Sequence, residues 1–348
     1  RMGDLLFYFF LRIGPDLKVM GDAAEKWKLT NNVVEFHLKP GLTFSNGRPL
    51  TKQDITFSIE QYQSEKCPFR SAFQDIVKTE VDQTKDGTFT VRLHLKSFSA
   101  KFLSSDLPVL RLLPKKEIEE NPSGFASSPF GTGSFTLASQ DSNQITFNGR
   151  PNHPFAPPKT QKIQFKVIRD DFTRFQKTYN GEIDIVQSDL PLDKVKSFAA
   201  KPKTFIVFRY PGLSFTYLLV NLEDPLLKNH TMRKALNLGI NREEIIQYKL
   251  EGYGLPATSI LTPNNPFFNH QLAAPPLDVK KAKSIITELA PKQTLTLKTS
   301  NNQAAVDVGK VLVNQFHQIG LNVELQSFEW GTFYGEVTKG NFQLATMK

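Results

Sequence analysis

The stretch from residue 23 to residue 59 limits the possible folds of this chain more than any other part. Within it, apolar Val34, Phe36 and Leu38 alternate with polar neighbours, which is the period of a strand with one buried face. Asn46–Gly47 then predicts a tight turn, because both residues tolerate positive φ angles. A strand with one apolar face requires a second layer of structure to cover that face.

A capped helix is predicted directly after the turn. Thr51 stands three residues before Asp54, the spacing of a capping box in which aspartate replaces the usual glutamate. Ile55, Ile59 and Tyr62 recur at helical spacing and are expected to face the core. The sequence therefore predicts that helix and sheet pack on each other near the amino terminus.

The region up to about residue 155 is predicted to be a mixed α+β unit with antiparallel hairpins. A second alternating strand, residues 89–95, follows the turn signal Asp86–Gly87. Four prolines then crowd one short stretch and indicate a crossover between domains: Pro151, Pro154, Pro157 and Pro158.

Beyond these prolines the predicted strands and helices alternate, which is typical of an α/β sheet flanked by helices. A strand at 163–167 precedes a helix capped by Asp170 or Asp171, and residues 183–186 are predicted to form the next strand. The rest of the chain continues the pattern with predicted helices at 242–250, 279–289, 305–319 and 330–337, and predicted strands at 295–298, 321–325 and 342–345. Asn241 is predicted to cap the first of these helices, and Asp278 is predicted to begin the second. The predicted fold class is therefore α/β, with the mixed α+β unit preceding it.

The chain resembles one large family, the extracellular solute-binding proteins of peptide, dipeptide and nickel ABC importers, known as family 5. The first block of the resemblance is carried by Ala23, Glu25, Trp27, Phe36, Leu38, Gly41, Phe44, Gly47, Pro49, Leu50, Asp54, Phe57 and Ser58. Four later blocks are also similar to the family, at residues 131–135, 180–184, 217–240 and 252–257. The resemblance extends over roughly residues 20 to 348, which is nearly the whole chain.

The resemblance implies a periplasmic-binding-protein-like fold of type II, with two lobes and an extra domain. Residues 1–158 would be mostly the inserted α+β domain, residues 159–248 part of the first lobe, and residues 249–348 the start of the opposing lobe. Family members are longer than this chain, so the resemblance also implies a fragment or truncated member that is incomplete at both ends. A naturally short relative is the alternative.

The resemblance further implies the substrate-binding component of an ABC importer, which captures peptides or a similar small solute between two lobes by hinge closure. Its partners would be that solute and the membrane permease of the importer, and the chain would act as a monomer without a cofactor. The expected location is the periplasm or the cell surface. Two alternatives stay open: the ligand-sensing domain of a transcriptional regulator with the same fold, and an enzyme built on this scaffold.

Two groups of residues are candidates for ligand contact. The first group lies along one predicted strand. Phe215 and Tyr217 present rings and a hydroxyl there, and Asn221 can bridge two backbone groups. The alternative is that Tyr217 belongs to the core and Asn221 stabilises the following turn. The second group, Ser300 to Asn302, follows a predicted strand and precedes a helix, where ligands of α/β proteins tend to bind. An ordinary helix cap explains that group equally well.

The sequence offers little support for metal binding, catalysis or nucleic-acid binding. No two of the six histidines lie within five positions of each other, so the close ligand spacing of a zinc site is missing. The GxSxG motif that is typical of hydrolases is absent, and Cys67 is the only cysteine in the sequence. The formal net charge is +9, but the basic residues are scattered rather than gathered in a run. We therefore predict no metal, no enzymatic activity and no nucleic-acid partner.

An apolar run near the amino terminus, residues 5–11, raises the question of a signal segment. The run is short and is ended by Arg12, and no small-residue cleavage site follows it. We interpret it as a buried helix in a chain from which the signal segment is absent. No apolar run approaches the roughly 18 residues that a membrane span requires.

Overall fold

The computed structural model describes residues 2–16, 18–99, 101–188, 190, 192–210, 212–265 and 267–348. The chain divides into two compact units, residues 1–169 and residues 170–348, called here the N-terminal and C-terminal units. Both units combine helices with sheets, so the mixed α/β class is confirmed. The finer division at residues 158 and 248 remains a prediction.

The N-terminal unit contains strands from three sheets. Its strands are β1 (Leu11–Ile13), β2 (Val19–Gly21), β3 (Ala24–Thr30), β4 (Val33–Leu38), β5 (Ile76–Gln83), β6 (Phe89–Leu95), β7 (Phe135–Gln140), β8 (Gln144–Gly149) and β9 (Lys162–Lys166). Its α-helices are α1 (Gly3–Leu6), α2 (Lys52–Gln63), α3 (Arg70–Phe73), α4 (Lys115–Glu120) and α5 (Pro122–Ser127). A π-helical turn at Phe102–Asp106 and a 3₁₀ turn at Leu107–Val109 precede α4.

The main sheet of this unit is antiparallel, with strand order β3–β4–β6–β5. The alternation predicted for β4 is confirmed, because Val34, Phe36 and Leu38 are fully buried. Phe36 meets Phe10 edge to face, with ring centroids 5.3 Å apart. Burying an apolar side chain of this size contributes roughly 1.5–3 kcal/mol to stability.

Helix α2 begins where its capping box predicts. The Thr51 hydroxyl accepts a hydrogen bond from the backbone N–H of Asp54 at 3.2 Å, and Asp54 Oδ2 accepts one from the N–H of Thr51 at 2.9 Å. The predicted inward residues Ile55, Ile59 and Tyr62 are all buried. The cap therefore sets the start of the helix and the apolar spacing sets the face it turns to the sheet.

The apolar run at residues 5–11 is buried as predicted, but most of it is not helical. Only Gly3–Leu6 forms α1, whereas Phe9 pairs with Arg111 in an isolated antiparallel bridge and Leu11 begins β1. The run has no polar face, and its backbone forms hydrogen bonds with several different segments, such as the Ala23–Phe9 and Leu112–Tyr8 pairs. An apolar run of this length does not distinguish helix from buried strand by periodicity alone.

The C-terminal unit consists of one sheet and the helices that surround it. Its strands are β10 (Tyr217–Val220), β11 (Leu295–Ser300), β12 (Val323–Phe328) and β13 (Leu344–Met347). Its helices are α6 (Asp171–Tyr179), α7 (Leu192–Ala199), α8 (His230–Gly239), α9 (Arg242–Lys249), α10 (Val279–Leu289), α11 (Gln303–Gln318) and α12 (Trp330–Thr338). Three of these helices start at the predicted caps Asp170, Asn241 and Asp278.

The sheet of the C-terminal unit has strand order β10–β13–β11–β12. Strand β11 runs parallel to β12 and β13, and β10 runs antiparallel to β13. One face of the sheet buries Leu295 and Leu297 in a core that also contains Leu236 of α8, Ile286 of α10 and Phe316 of α11. Helix α12 contacts β11 and β12 from the opposite face.

The predicted strand at residues 183–186 is wrong. The structure gives these residues no regular structure, and the Ile185 side chain is 83% exposed. A strand forms only where a second strand offers backbone partners, and none does so here in the described part of the chain. Strands β12 and β13 also start two residues later than predicted, at Val323 and Leu344.

Candidate functional site

One edge of the C-terminal sheet collects the ends of all four strands. The parallel strands β13, β11 and β12 finish there at Met347, Ser300 and Phe328. Because β10 is antiparallel, it brings its first residue, Tyr217, to the same edge, directly opposite Met347. The carboxyl edge of parallel strands is the usual position of ligand sites in open α/β sheets.

The residues at this edge share one face of the sheet. Tyr217 pairs with Met347 and Ser300 pairs with Phe328 in the strand register. The opposite face carries Thr299, whose hydroxyl accepts a 2.7 Å hydrogen bond from the Thr346 hydroxyl and so aligns β11 with β13. Since side chains alternate along a strand, Tyr217, Met347, Ser300 and Phe328 form one row on the face that α12 partly covers.

Two exposed rings lie on the helix that follows β12. Helix α12 begins at Trp330, two residues after β12 ends, and Trp330 stacks on Tyr334 with ring centroids 5.8 Å apart at 27°. These two side chains are 54% and 51% exposed, whereas Phe333 between them is 1% exposed and anchors the helix. We call the set Tyr217, Ser300, Phe328, Trp330, Tyr334 and Met347 the aromatic platform.

Phe215 and Tyr217, both predicted as ligand contacts, lie next to each other at the platform. Their rings stack with centroids 4.9 Å apart at 26°, and both side chains are half-buried. Tyr217 is therefore neither fully in the core nor free in solvent, so it can be covered further by a ligand.

Ser300 and Asn301 lie at the same edge, and Asn302 caps a helix there. The backbone N–H of Asn301 donates to the carbonyl of Phe328 at 2.7 Å, which continues the pairing of β11 with β12. Asn302 Oδ1 accepts hydrogen bonds from the N–H groups of Ala304 and Ala305, at 3.1 and 3.4 Å. Asn302 therefore acts as an ordinary helix cap, which was the alternative to ligand contact. The side chain of Asn301, in contrast, is exposed.

The structure separates Asn221 from the other predicted contacts. Asn221 follows the last residue of β10, and at about 3.3 Å per residue it lies roughly 13 Å from Tyr217, at the other edge of the sheet. Its Nδ2 donates to the carbonyls of Gly340 and Phe342, at 3.1 and 2.8 Å, and its Oδ1 accepts from the N–H of Glu223. These bonds favour the alternative in which Asn221 stabilises the turn.

Sequence reasoning did not identify Trp330 and Tyr334 as candidates. It placed both on the predicted helix at residues 330–337, together with Phe333, and assigned that helix no contact with ligand. Their position in the sequence could have identified them, because the predicted helix at 330–337 comes after the carboxyl end of a strand, as residues 300–302 also do. Which ring of such a helix faces solvent depends on where the helix packs, and this is a tertiary property.

The platform itself carries no ionisable side chain other than the two tyrosine hydroxyls. Lys298, on the same face of β11, is 14% exposed, and its Nζ donates to Glu336 Oε2 at 3.1 Å and to the carbonyl of Asn341 at 2.7 Å. The hydrogen bond from Lys298 lowers the pKa of Glu336 below its ordinary value. Glu329 caps α12, accepting from the N–H groups of Gly331 and Thr332. The charged groups of Lys298, Glu329 and Glu336 therefore form hydrogen bonds within the protein. The groups that the platform presents to a ligand are aromatic rings and hydroxyls.

Other kinds of site find no support in the described ranges. Within them, no group of three or more histidine, cysteine, aspartate and glutamate side chains is arranged to hold a metal ion. His153 is buried, and both of its ring nitrogens are engaged with backbone groups: Nε2 lies 3.0 Å from the carbonyl of Thr132, and Nδ1 accepts the N–H of Ala156. Among the described residues, no helix combines the length and apolar character needed to cross a membrane.

Comparison with known proteins identifies the group to which the chain is similar. A family model described as "Bacterial extracellular solute-binding proteins, family 5 Middle" matches residues 18–348, which confirms the resemblance noted in the sequence. The dipeptide-binding protein of Escherichia coli is 22% identical over 363 residues, covering 95% of this chain and 67% of that protein. Across the related proteins, the chain spans about two thirds of their length.

Solved structures show the same fold. The oligopeptide-binding protein AppA of Bacillus subtilis, in complex with a nonapeptide, matches with a TM-score of 0.84 at 22% identity, covering 99% of this chain and 73% of that one. NikZ of Campylobacter jejuni, in complex with Ni(L-His), matches with a TM-score of 0.85 at 21% identity, covering 99% and 71%. The two proteins share a fold with this chain while their ligands differ in chemistry.

Proposed function

The chain belongs to the bacterial extracellular solute-binding proteins of family 5, and on this basis we propose that it is the substrate-binding component of an ABC importer. This family consists of binding proteins rather than enzymes, in line with the prediction of no catalytic activity. The captured solute is a peptide or a similar small molecule, and the aromatic platform of the C-terminal unit supplies part of its binding surface.

The observation that carries this proposal is the exposed row at the carboxyl edge of the sheet. Trp330 and Tyr334 remain about half exposed although each has a large apolar surface to bury. Rings that are rigid, amphipathic and already stacked lose little conformational entropy when a ligand covers them. Ser300 and Tyr217 add hydroxyl groups that can donate to or accept from a peptide backbone.

A peptide suits this surface better than a highly charged solute. The nearby charges of Lys298, Glu329 and Glu336 are engaged in hydrogen bonds within the protein. A peptide side chain can lie on the rings while its backbone uses the hydroxyls and the strand edges, each hydrogen bond contributing only about 1 kcal/mol net. A ligand held in this way depends on several weak contacts and therefore tolerates variation in its side chains.

The mechanism in this proposal is hinge closure of two lobes around the solute, followed by delivery to a membrane permease. To shift a two-state protein from 1:99 to 99:1, the ligand must favour the closed state by about 5.5 kcal/mol. The family assignment supports an extracellular or periplasmic location for these steps. The permease and the monomeric state are parts of the same proposal.

Thermal melting of the purified chain with a ligand panel tests the proposal. The panel contains short peptides with and without aromatic side chains, nickel with L-histidine, and a sugar. A peptide at about 100 times its Kd adds roughly 2.7 kcal/mol to the free energy of unfolding and raises Tm. A panel in which only the sugar or the nickel complex raises Tm would overturn the peptide assignment, and no response to any solute would count against a binding role for this chain.

A further inference from the structure

Lys298 lies in the middle of β11, beneath helix α12, and contacts three different elements. Its Nζ donates to Glu336 in the last turns of α12 and to the carbonyl of Asn341 in the turn that leads into β13. The same ammonium group lies 5.3 Å from the centre of the Phe328 ring, at the end of β12. A lysine that is 14% exposed and has these partners is not available to a ligand.

Helix α12 has few other attachments to the sheet. It is nine residues long, and a helix of this length is marginal without tertiary contacts. Phe333 is the one side chain of α12 that is buried in the described structure, and Glu336 stands three residues later on the same side of the helix. The position of the helix over the sheet therefore depends on an apolar anchor at Phe333 and an ionic anchor at Glu336.

The two platform rings are carried by the amino-terminal part of the same short helix. Trp330 and Tyr334 are four residues apart and stack on each other, so they move with the helix as one body. A rotation of α12 about its axis would move both rings relative to the carboxyl edge of the sheet. The contact that resists this rotation at the far end of the helix is the Lys298–Glu336 pair.

We propose that Lys298 is a positioning residue that orients the Trp330–Tyr334 ring pair at the carboxyl edge through its ion pair with Glu336. The effect of Lys298 on ligand binding rests on the proposed function. The orientation of the rings can be measured without ligand. Surface ion pairs contribute little on average. In this pair the Lys298 side chain is 14% exposed and that of Glu336 is 32% exposed, and Lys298 also donates a second hydrogen bond to the carbonyl of Asn341.

The first test measures the environment of Trp330. The sequence contains two tryptophans, so the Trp27→Phe variant leaves Trp330 as the single one. In that background Lys298→Met and Glu336→Gln should change the acrylamide quenching of Trp330 about twofold, well below the melting temperature. If Trp27→Phe impairs folding, the Trp330 signal is obtained instead by subtracting the spectrum of Trp330→Phe. Because the two groups act as a pair, the double variant should show the change of one variant rather than the sum.

A matched control is Lys310→Met, which removes a solvent-exposed lysine from α11. It should leave the quenching of Trp330 unchanged. Unchanged quenching in both Lys298→Met and Glu336→Gln, each folded, would overturn the proposal and reduce the pair to a structural contact. The Glu336→Gln variant keeps the test decisive if Lys298→Met fails to fold.

The second test measures peptide affinity in the natural background. Lys298→Met should weaken binding of a peptide with an aromatic side chain roughly tenfold, and that of a peptide of glycine and serine much less. Equal losses for both peptides would indicate general destabilisation and contradict the positioning role. If the wild-type chain binds no peptide, the proposed function fails, whereas the Trp330 measurement still decides the role of Lys298.

Discussion

Arg48 and Asp54 form a two-pronged ion pair in the N-terminal unit, with Nη1 to Oδ2 at 2.8 Å and Nη2 to Oδ1 at 3.0 Å. Asp54 is 1% exposed and also receives the backbone N–H of Lys115 at 2.9 Å. Arg48 continues to Glu117, whose Oε2 lies 2.7 Å from Nη2. The Asp54 carboxylate thus joins the capping box of α2 to Lys115, the first residue of α4.

Asp54→Asn should destabilise the N-terminal unit by about 3 kcal/mol, because it leaves a partly buried guanidinium without its main partner. Burial alone would raise the pKa of Asp54, but hydrogen bonds from Arg48, Thr51 and Lys115 hold that pKa below its ordinary value. The stabilisation is therefore present above the unfolded pKa and is lost as pH falls through the folded pKa. Urea unfolding at pH 7 and at pH 3 measures both effects.

The matched control for Asp54 is Glu119→Gln, which breaks an exposed pair with Lys115 at 3.9 Å. This variant should change the free energy of unfolding by no more than about 0.5 kcal/mol. Equal losses for the two variants would refute the role assigned to Asp54.

His153 should make the N-terminal unit sensitive to mild acid. Its Nδ1 accepts the backbone N–H groups of Phe155 and Ala156, and its Nε2 lies 3.0 Å from the carbonyl of Thr132, so the ring is held neutral. Burial lowers the pKa of His153, and the nearby cations Arg150 and Lys39 add to this effect. The unfolded chain binds the proton more readily, so stability should fall as pH drops below about 6.5.

The comparison of His153→Asn with His270→Asn, an exposed histidine, isolates this effect in melts between pH 7.5 and pH 5. The loss of stability across this range should be smaller in His153→Asn than in the wild type, and unchanged in His270→Asn. A wild-type-like slope in His153→Asn would show that another group controls the acid response.

Trp330→Ala should weaken the binding of an aromatic peptide roughly tenfold or more, since a stacked ring contributes on the order of 1–3 kcal/mol to recognition. About half of the ring is already exposed, so the free energy of unfolding should change much less than on truncation of a core ring. Isothermal titration and melting of the same sample separate the two quantities. Tyr248→Ala, which removes an exposed ring from α9, should leave affinity as it is, and an equal loss there would contradict the platform.

Asn221→Ala should mainly lower stability, whereas Asn301→Ala should mainly lower peptide affinity. The first removes hydrogen bonds to Gly340, Phe342 and Glu223, and should destabilise the C-terminal unit by about 1–3 kcal/mol. The second removes an exposed amide at the carboxyl edge, and should alter stability by less than about 0.5 kcal/mol while reducing peptide affinity. A loss of affinity in Asn221→Ala at unchanged stability would restore Asn221 as a ligand contact.

Two glycine substitutions should change stability in opposite directions. A Cβ at Gly133 would stand 2.4 Å from the carbonyl oxygen of Leu5, so Gly133→Ala must displace backbone and should cost several kcal/mol. At Gly335, within α12, a Cβ would meet nothing within 4 Å, so Gly335→Ala should stabilise the helix by up to about 1 kcal/mol. Urea unfolding of both variants measures the difference, and a stable Gly133→Ala would contradict the close packing of residues 131–133 on residues 5–7.

Local patterns in the sequence were sufficient for most elements of the fold. The caps at Thr51, Asp170, Asn241 and Asp278 and the alternation of β4 and β6 all rest on interactions within a few residues, which a single chain displays directly. The elements that were predicted wrongly depend on distant partners. Residues 183–186 have strand character, but no strand pairs with them in the part of the chain that the structure describes. Most of residues 5–11 is held by backbone hydrogen bonds to other segments rather than by a helix.

The sequence by itself determined the family, the α/β class and the positions where helices begin, because caps, turns and apolar periods act over short distances. Only the tertiary structure decided which candidates share a surface. Tyr217 begins β10 and Asn221 directly follows its last residue, yet the antiparallel pairing of β10 with β13 brings the first to Met347 and leaves the second at the other edge. Phe328, two residues before Trp330, lies beside Ser300 because two parallel strands end side by side, a relationship that is set by pairing across the sheet and not by neighbours along the chain.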